Sequence, residues 1–145
     1  DLSFFIYICY GNKIYNNVDR VLLSDGAFTE YNQSDKAMER WQAPGDMTEV
    51  PKIIFNNSSN GNQSSTRYLE DGSFLRLKNI NLSYNFGNEK LMKYKINNMK
   101  FFIQCSNILT LTNFSGIDPE QNIRGVAWFS YPNTKNFSAG INIEF

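Results

Sequence analysis

Apolar side chains recur at every second position in four separate stretches of the chain. Leu2, Phe4, Ile6, Ile8 and Tyr10 form the first row. In the second, Ile80, Leu82, Tyr84 and Phe86 alternate with Asn79, Asn81, Ser83 and Asn85. In the third, Met99, Phe101, Ile103 and Cys105 alternate with Lys100, Phe102, Gln104 and Ser106. The fourth sets Phe137, Ala139, Ile141, Ile143 and Phe145 against Ser138, Gly140, Asn142 and Glu144. A repeat of two is the period of a β-strand with one oily and one wet face. The pattern predicts an all-β chain with strands over about residues 1–14, 73–86, 98–109 and 135–145. Each apolar row is about 10 residues long, enough for a tilted strand to cross a bilayer. The opposite rows are asparagine, serine, glutamine and lysine rather than a second apolar set. That arrangement predicts oil outside and water inside, as in an antiparallel transmembrane β-barrel.

The links between the rows are unequal. Residues 87–97, "GNEKLMKYKIN", form a short polar connection, whereas 15–72 and 110–134 are long. Outer-membrane barrels put long loops outside and short turns in the periplasm. The long links are therefore expected to be extracellular and 87–97 to be a periplasmic turn. Within the first long link, "SDKAMERW" suggests a short helix capped by Ser34 with Asp35 in its first turn. "NNSSNGNQSS", residues 56–65, is expected to be polar surface.

At 145 residues the chain is long enough for one domain with its own core. Lysine plus arginine equals aspartate plus glutamate, 14 each, so no net charge points to nucleic acid. Histidine is absent, which removes the commonest general base and the commonest metal ligand. No glycine-rich phosphate cradle or cysteine cluster replaces it, so no enzyme, cofactor or metal is expected. No apolar run approaches the roughly 20 residues of a membrane helix. Cys9 and Cys105 fall in opposite alternation sets, which predicts two unpaired thiols. The opening "DLSFFIYICY" already lies inside a strand pattern, as expected of a fragment of a longer protein.

Candidate chemistry is confined to the loops. Asp71 and Gly72 suit a turn before the second strand. Asp118 and Glu120 in "GIDPE" are too few for the six to eight oxygens of calcium, and the proline between them predicts a rigid corner. Trp41, Trp128, Phe129 and Tyr131 offer aromatic faces in the long links. Trp41, Trp128 and the loop charge Arg124 are the candidates for contact with substrate or with a covering partner. Tyr131 suits loop packing or the aromatic girdle at the membrane rim. Lys100 and Gln104 are expected to point into the lumen.

The closing octet "SAGINIEF" fits the signal by which bacterial barrel-assembly machinery recognises its substrates, with Ser138, Gly140, Ile143 and Phe145 at its fixed positions. "EDGSFLRLKNINLSYNF", "FFIQCSNILTLTNFSGIDPE" and "YPNTKNFSAGINIEF" follow one another as in the C-terminal part of the SusC/RagA family. "RWQAPGDMTEVPK" and "GNKIYN" are also similar to family phrases. These are TonB-dependent outer-membrane transporters of Bacteroidota. Lys135 departs from the arginine frequent in the family after "YP" but keeps a charge there. The resemblance implies the closing strands of a barrel of about 22 strands, with the plug and the TonB-contacting part lying elsewhere in the protein. It also implies import of oligosaccharides or peptides, a SusD-like surface lipoprotein as lid, and energy from the TonB complex. The surroundings would be outer-membrane lipid. A secreted β-sandwich carbohydrate-binding module is the alternative, and it would need a second sheet over the oily rows. A structural outer-membrane barrel without transport is a third reading.

Overall fold

A computed structural model describes residues 1–24, 26–28, 30–56, 63–86 and 91–145. Most of the polar stretch around Asn60, and the start of the short link at 87–90, lie outside the described residues. The chain divides into two compact units. The first comprises Asp1–Tyr10, Ser73–Asn113 and Pro132–Phe145, and the second Gly11–Gly72 and Phe114–Tyr131.

The first unit is one antiparallel sheet of β1 (Leu2–Cys9), β4 (Phe74–Phe86), β5 (Asn98–Thr112) and β7 (Asn136–Glu144), in the order β1-β4-β5-β7. The register aligns like with like. Leu2, Leu82, Ile103 and Ala139 stand abreast, as do Phe4, Ile80, Cys105 and Phe137. On the other face Asn81, Gln104 and Ser138 stand abreast. The apolar face is bare: Leu82, Ile141 and Ile143 keep 50%, 59% and 47% of their surface exposed. Among the described residues nothing covers it as the second layer of a sandwich would. Both cysteines are free.

The alternation in β4 changes phase at Lys78. Apolar side chains are even-numbered from Ile80 to Phe86 but odd-numbered at Leu75 and Leu77. Phe5 pairs with Asn79 and the next residue, Ile6, with Leu77, so Lys78 is the extra residue of a bulge. On the β5 side Asn79 pairs with Ser106 and Leu77 with Leu109, and Asn107 takes a left-handed φ of 54°. The bulge returns Leu75 and Leu77 to the apolar row beside Leu109, Leu111, Ile6 and Ile8. It turns Phe74 and Arg76 to the opposite face. There Arg76 Nε donates to Thr110 Oγ1 at 2.9 Å, and Phe74 meets Tyr7 edge to face at 5.5 Å. Lys78 Nζ lies 5.4 Å from the centre of the Tyr7 ring.

The second unit holds a small sheet in which β2 (Lys13–Asn16) pairs antiparallel with β3 (Leu69–Asp71) and parallel with β6 (Val126–Ala127). Its core is Ile14, Phe114 and Ala127. This corrects the expected first strand over about residues 1–14. That strand stops at Cys9, because Gly11 adopts φ +80° and turns the chain away. Ile14 therefore leaves the exposed row and is fully buried. A Cβ at Gly72 would stand 2.6 Å from Ile14 Cγ1, so only glycine lets the two segments close. Gly72 N–H also donates to Asn12 O at 3.0 Å.

An α-helix, α1 (Asn17–Leu22), follows β2. The short helix expected at "SDKAMERW" is a 3-10 helix over Asp35–Glu39, with Ser34 at its N-cap and Asp35 in its first turn. Ser34 Oγ accepts the Lys36 N–H at 3.4 Å, and the Asp35 carboxylate takes the same N–H at 2.9 Å.

Candidate functional site

Asn16 organises the second unit. It is 1% exposed and uses its whole amide. Its Oδ1 accepts the Asp19 N–H at 3.1 Å, which satisfies one of the orphan donors at the start of α1. Its Nδ2 donates to Glu70 Oε1 at 2.8 Å and to Ser115 Oγ at 3.2 Å. Glu70 also accepts the Ser115 N–H and hydroxyl, both at 2.8 Å. One side chain thus joins β2, α1, β3 and the segment after Phe114. Neither Glu70 nor Ser115 stands out by local pattern; the three residues lie 45 to 99 positions apart.

Beside this network lies a cavity of about 290 Å³ whose walls include Asn16, Leu22, Phe114, Asp118 and Trp128. Of the expected contact residues only Trp128 lies there, and it is 58% exposed. Trp41 sits elsewhere in the unit. Its N–H donates to Val50 O at 2.8 Å, and Lys52 Nζ lies 6.0 Å from its ring centre. Arg124 is exposed in a turn where its N–H donates to Asn122 Oδ1 at 2.9 Å. That turn ends at Gly125, with φ +62°, whose carbonyl accepts the Tyr15 N–H. Trp41 and Arg124 are therefore not among the residues that line the cavity at Trp128.

The remaining loop candidates take local bonds. Asp118 Oδ1 accepts the Glu120 N–H at 2.9 Å, the bond of a tight corner. Asp71 ends β3 opposite Lys13. Among the described residues no three carboxylate, thiol or imidazole groups converge as a metal ion would require. Asp46 accepts N–H groups from Ala43 at 2.8 Å and Gln42 at 2.9 Å, and those bonds hold its carboxyl below the ordinary value. Tyr131 and Phe129 are exposed.

The terminal strand lies along β5 with Ser138 opposite Gln104, Gly140 opposite Phe102, and Ile143 opposite Met99. Every residue of β7 is exposed except Gly140. Phe145 follows the strand and is also exposed.

No family model matches the chain. It is similar to TonB-dependent receptor P3 of Formosa agariphila, with 29% identity over all of this chain and 15% of that protein. It is also similar to TonB-dependent receptor SusC of Bacteroides thetaiotaomicron, with 28% identity over 68% of this chain and 10% of that protein. Among solved structures, the RagAB peptide importer in its open-open state superimposes with a TM-score of 0.85 at 30% identity. That match covers 99% of this chain and 15% of the importer chain. The chain thus spans about one seventh of the relatives it matches.

Proposed function

We propose, for a chain of the SusC/RagA kind of TonB-dependent receptor, that it supplies closing strands and outer loops of a nutrient importer in the outer membrane. The observation that carries this reading is the bare apolar face of the four-stranded sheet. In water such a face demands a cover, whereas in a bilayer lipid supplies it and the paired strands satisfy their own backbone groups. Leu82, Ile103, Ile141 and Ile143 then meet lipid, and Asn81, Gln104, Ser138 and Asn142 line the lumen. The long links 15–72 and 110–134 then run on the extracellular side, and the short link between β4 and β5 on the periplasmic side. The likeness to an importer of peptides and to SusC supports peptide or oligosaccharide cargo, a SusD-like lipoprotein over the loops, and energy drawn through TonB.

Two measurements on the full-length receptor in cells test this. Met47, fully exposed in the second unit, becomes the target of an impermeant thiol reagent as Met47→Cys. Labelling of intact cells is expected; labelling only after the outer membrane is opened would reverse the topology. In the same strain, uptake of labelled short peptides and oligosaccharides should depend on the receptor for at least one of the two. Independence for both would remove the import reading.

A further inference from the structure

The polar row of β5 contains one side chain that does not belong to it by polarity. Lys100, Gln104 and Ser106 flank Phe102, whose ring lies on the wet face. Directly opposite stands Gly140. A Cβ on Gly140 would come 2.6 Å from Phe102 Cζ and 2.8 Å from Cε1, so the ring occupies the space a side chain would take. Gly140 is not in the left-handed region, so its backbone does not require glycine. Space does. The same contact explains why Gly140 alone in β7 is not exposed.

We propose that Phe102 and Gly140 form a register lock for the terminal strand. Alternation fixes the register of two strands only to the nearest even slip. A slip of one residue would turn the isoleucines of β7 into the lumen and is strongly disfavoured. A slip of two keeps every face correct, so the oily rows do not resist it. It does, however, place Phe102 opposite Ser138 or Asn142, whose side chains fill the place the ring needs. Gly140 is the one residue of β7 that accepts the ring, so the pair selects one register among those that alternation permits. Within the reading of β7 as a barrel strand, this assigns Gly140 a positioning role toward Phe102, in addition to any part it has in the assembly signal.

The test uses the full-length receptor without other cysteines, refolded into lipid vesicles in the absence of assembly machinery. Gln104→Cys with Ser138→Cys reports the native register, and Gln104→Cys with Asn136→Cys reports a slip of two. The slipped pair should cross-link weakly in the parent. With Phe102→Ala its ratio to the native pair should rise by about tenfold, the change produced by roughly 1.4 kcal/mol of lost preference. Gly140→Ala should lower the yield of heat-modifiable folded receptor, and Phe102→Ala should restore most of it. An unchanged cross-link ratio in Phe102→Ala would overturn the lock. So would a Gly140→Ala defect equally deep with and without the Phe102 ring. Folding of the parent without lipid or detergent would instead remove the membrane reading, and the cross-link ratio would still report on the pair.

Discussion

Replacing Asn16 by alanine removes three hydrogen bonds from a site that is 1% exposed. The lost cap on the Asp19 N–H costs about 1 kcal/mol, as for other asparagine caps. The bond to the Glu70 carboxylate is charge-assisted and contributes about 1.5–3 kcal/mol, less where water can replace the donor. Together these give a loss of roughly 2–4 kcal/mol, localised to the second unit. Amide hydrogen exchange on the full-length receptor reads this as local opening. Protection should fall about 30- to 700-fold at Leu23, whose N–H bonds to Asp19 O, and at Ser115, whose N–H bonds to Glu70. Amides of β5 should not change. Asn16→Asp sharpens the test: it keeps the cap acceptor but sets a second carboxylate 2.8 Å from Glu70 Oε1. It should be at least as damaging as alanine, because two carboxylates at that distance repel each other. Alanine with protection unchanged, or aspartate milder than alanine, would refute the keystone role of Asn16.

Ile103→Arg should destabilise the receptor in lipid by about 2–4 kcal/mol, while Gln104→Arg on the opposite face should cost far less; equal effects in a denaturant titration would contradict the lipid and lumen assignment. The Asp46 carboxyl is depressed below 3.8 by the Ala43 and Gln42 N–H groups. Its support of that turn is complete above the ordinary value and fades as pH falls through the lower folded one, so the two amides should exchange faster only in that acid range and be insensitive to pH in Asp46→Asn. Trp128→Ala should reduce cargo uptake per folded receptor without changing heat-modifiability, whereas loss of folding instead would make the tryptophan a packing residue.

What was legible in the sequence followed the range of the forces involved. Rows such as Leu82, Tyr84 and Phe86, or Phe137 to Ile143, announce strands because one face is apolar over its full length, and neighbours two apart carry that signal. The phase change at Lys78 was also written there, as odd Leu75 and Leu77 against even Ile80 and Leu82. The end of β1 was misjudged because Ile14 continues the expected parity across Gly11, and only the left-handed turn breaks it. The second unit was hidden altogether. Its strands are two to four residues long, one pairing is parallel across more than a hundred positions, and its binding polar contacts join Asn16, Glu70 and Ser115. Period-two reasoning has nothing to grip in such a structure. Trp128 was singled out by residue type, but the cavity it lines arises from segments distant in sequence, which no local pattern announces.

The apolar composition of β1 carries a consequence for the life of the protein before it matures. β1 reads LSFFIYIC, eight residues without a charge or a proline. Such a segment templates stacking with copies of itself, and the oily side of the sheet would bury itself in the stack. Insertion is therefore a race against aggregation. The losing branch is second order in concentration, while the capture of each chain by lipid is first order. Overproduction should tip the contest toward inclusion bodies long before it exhausts the membrane.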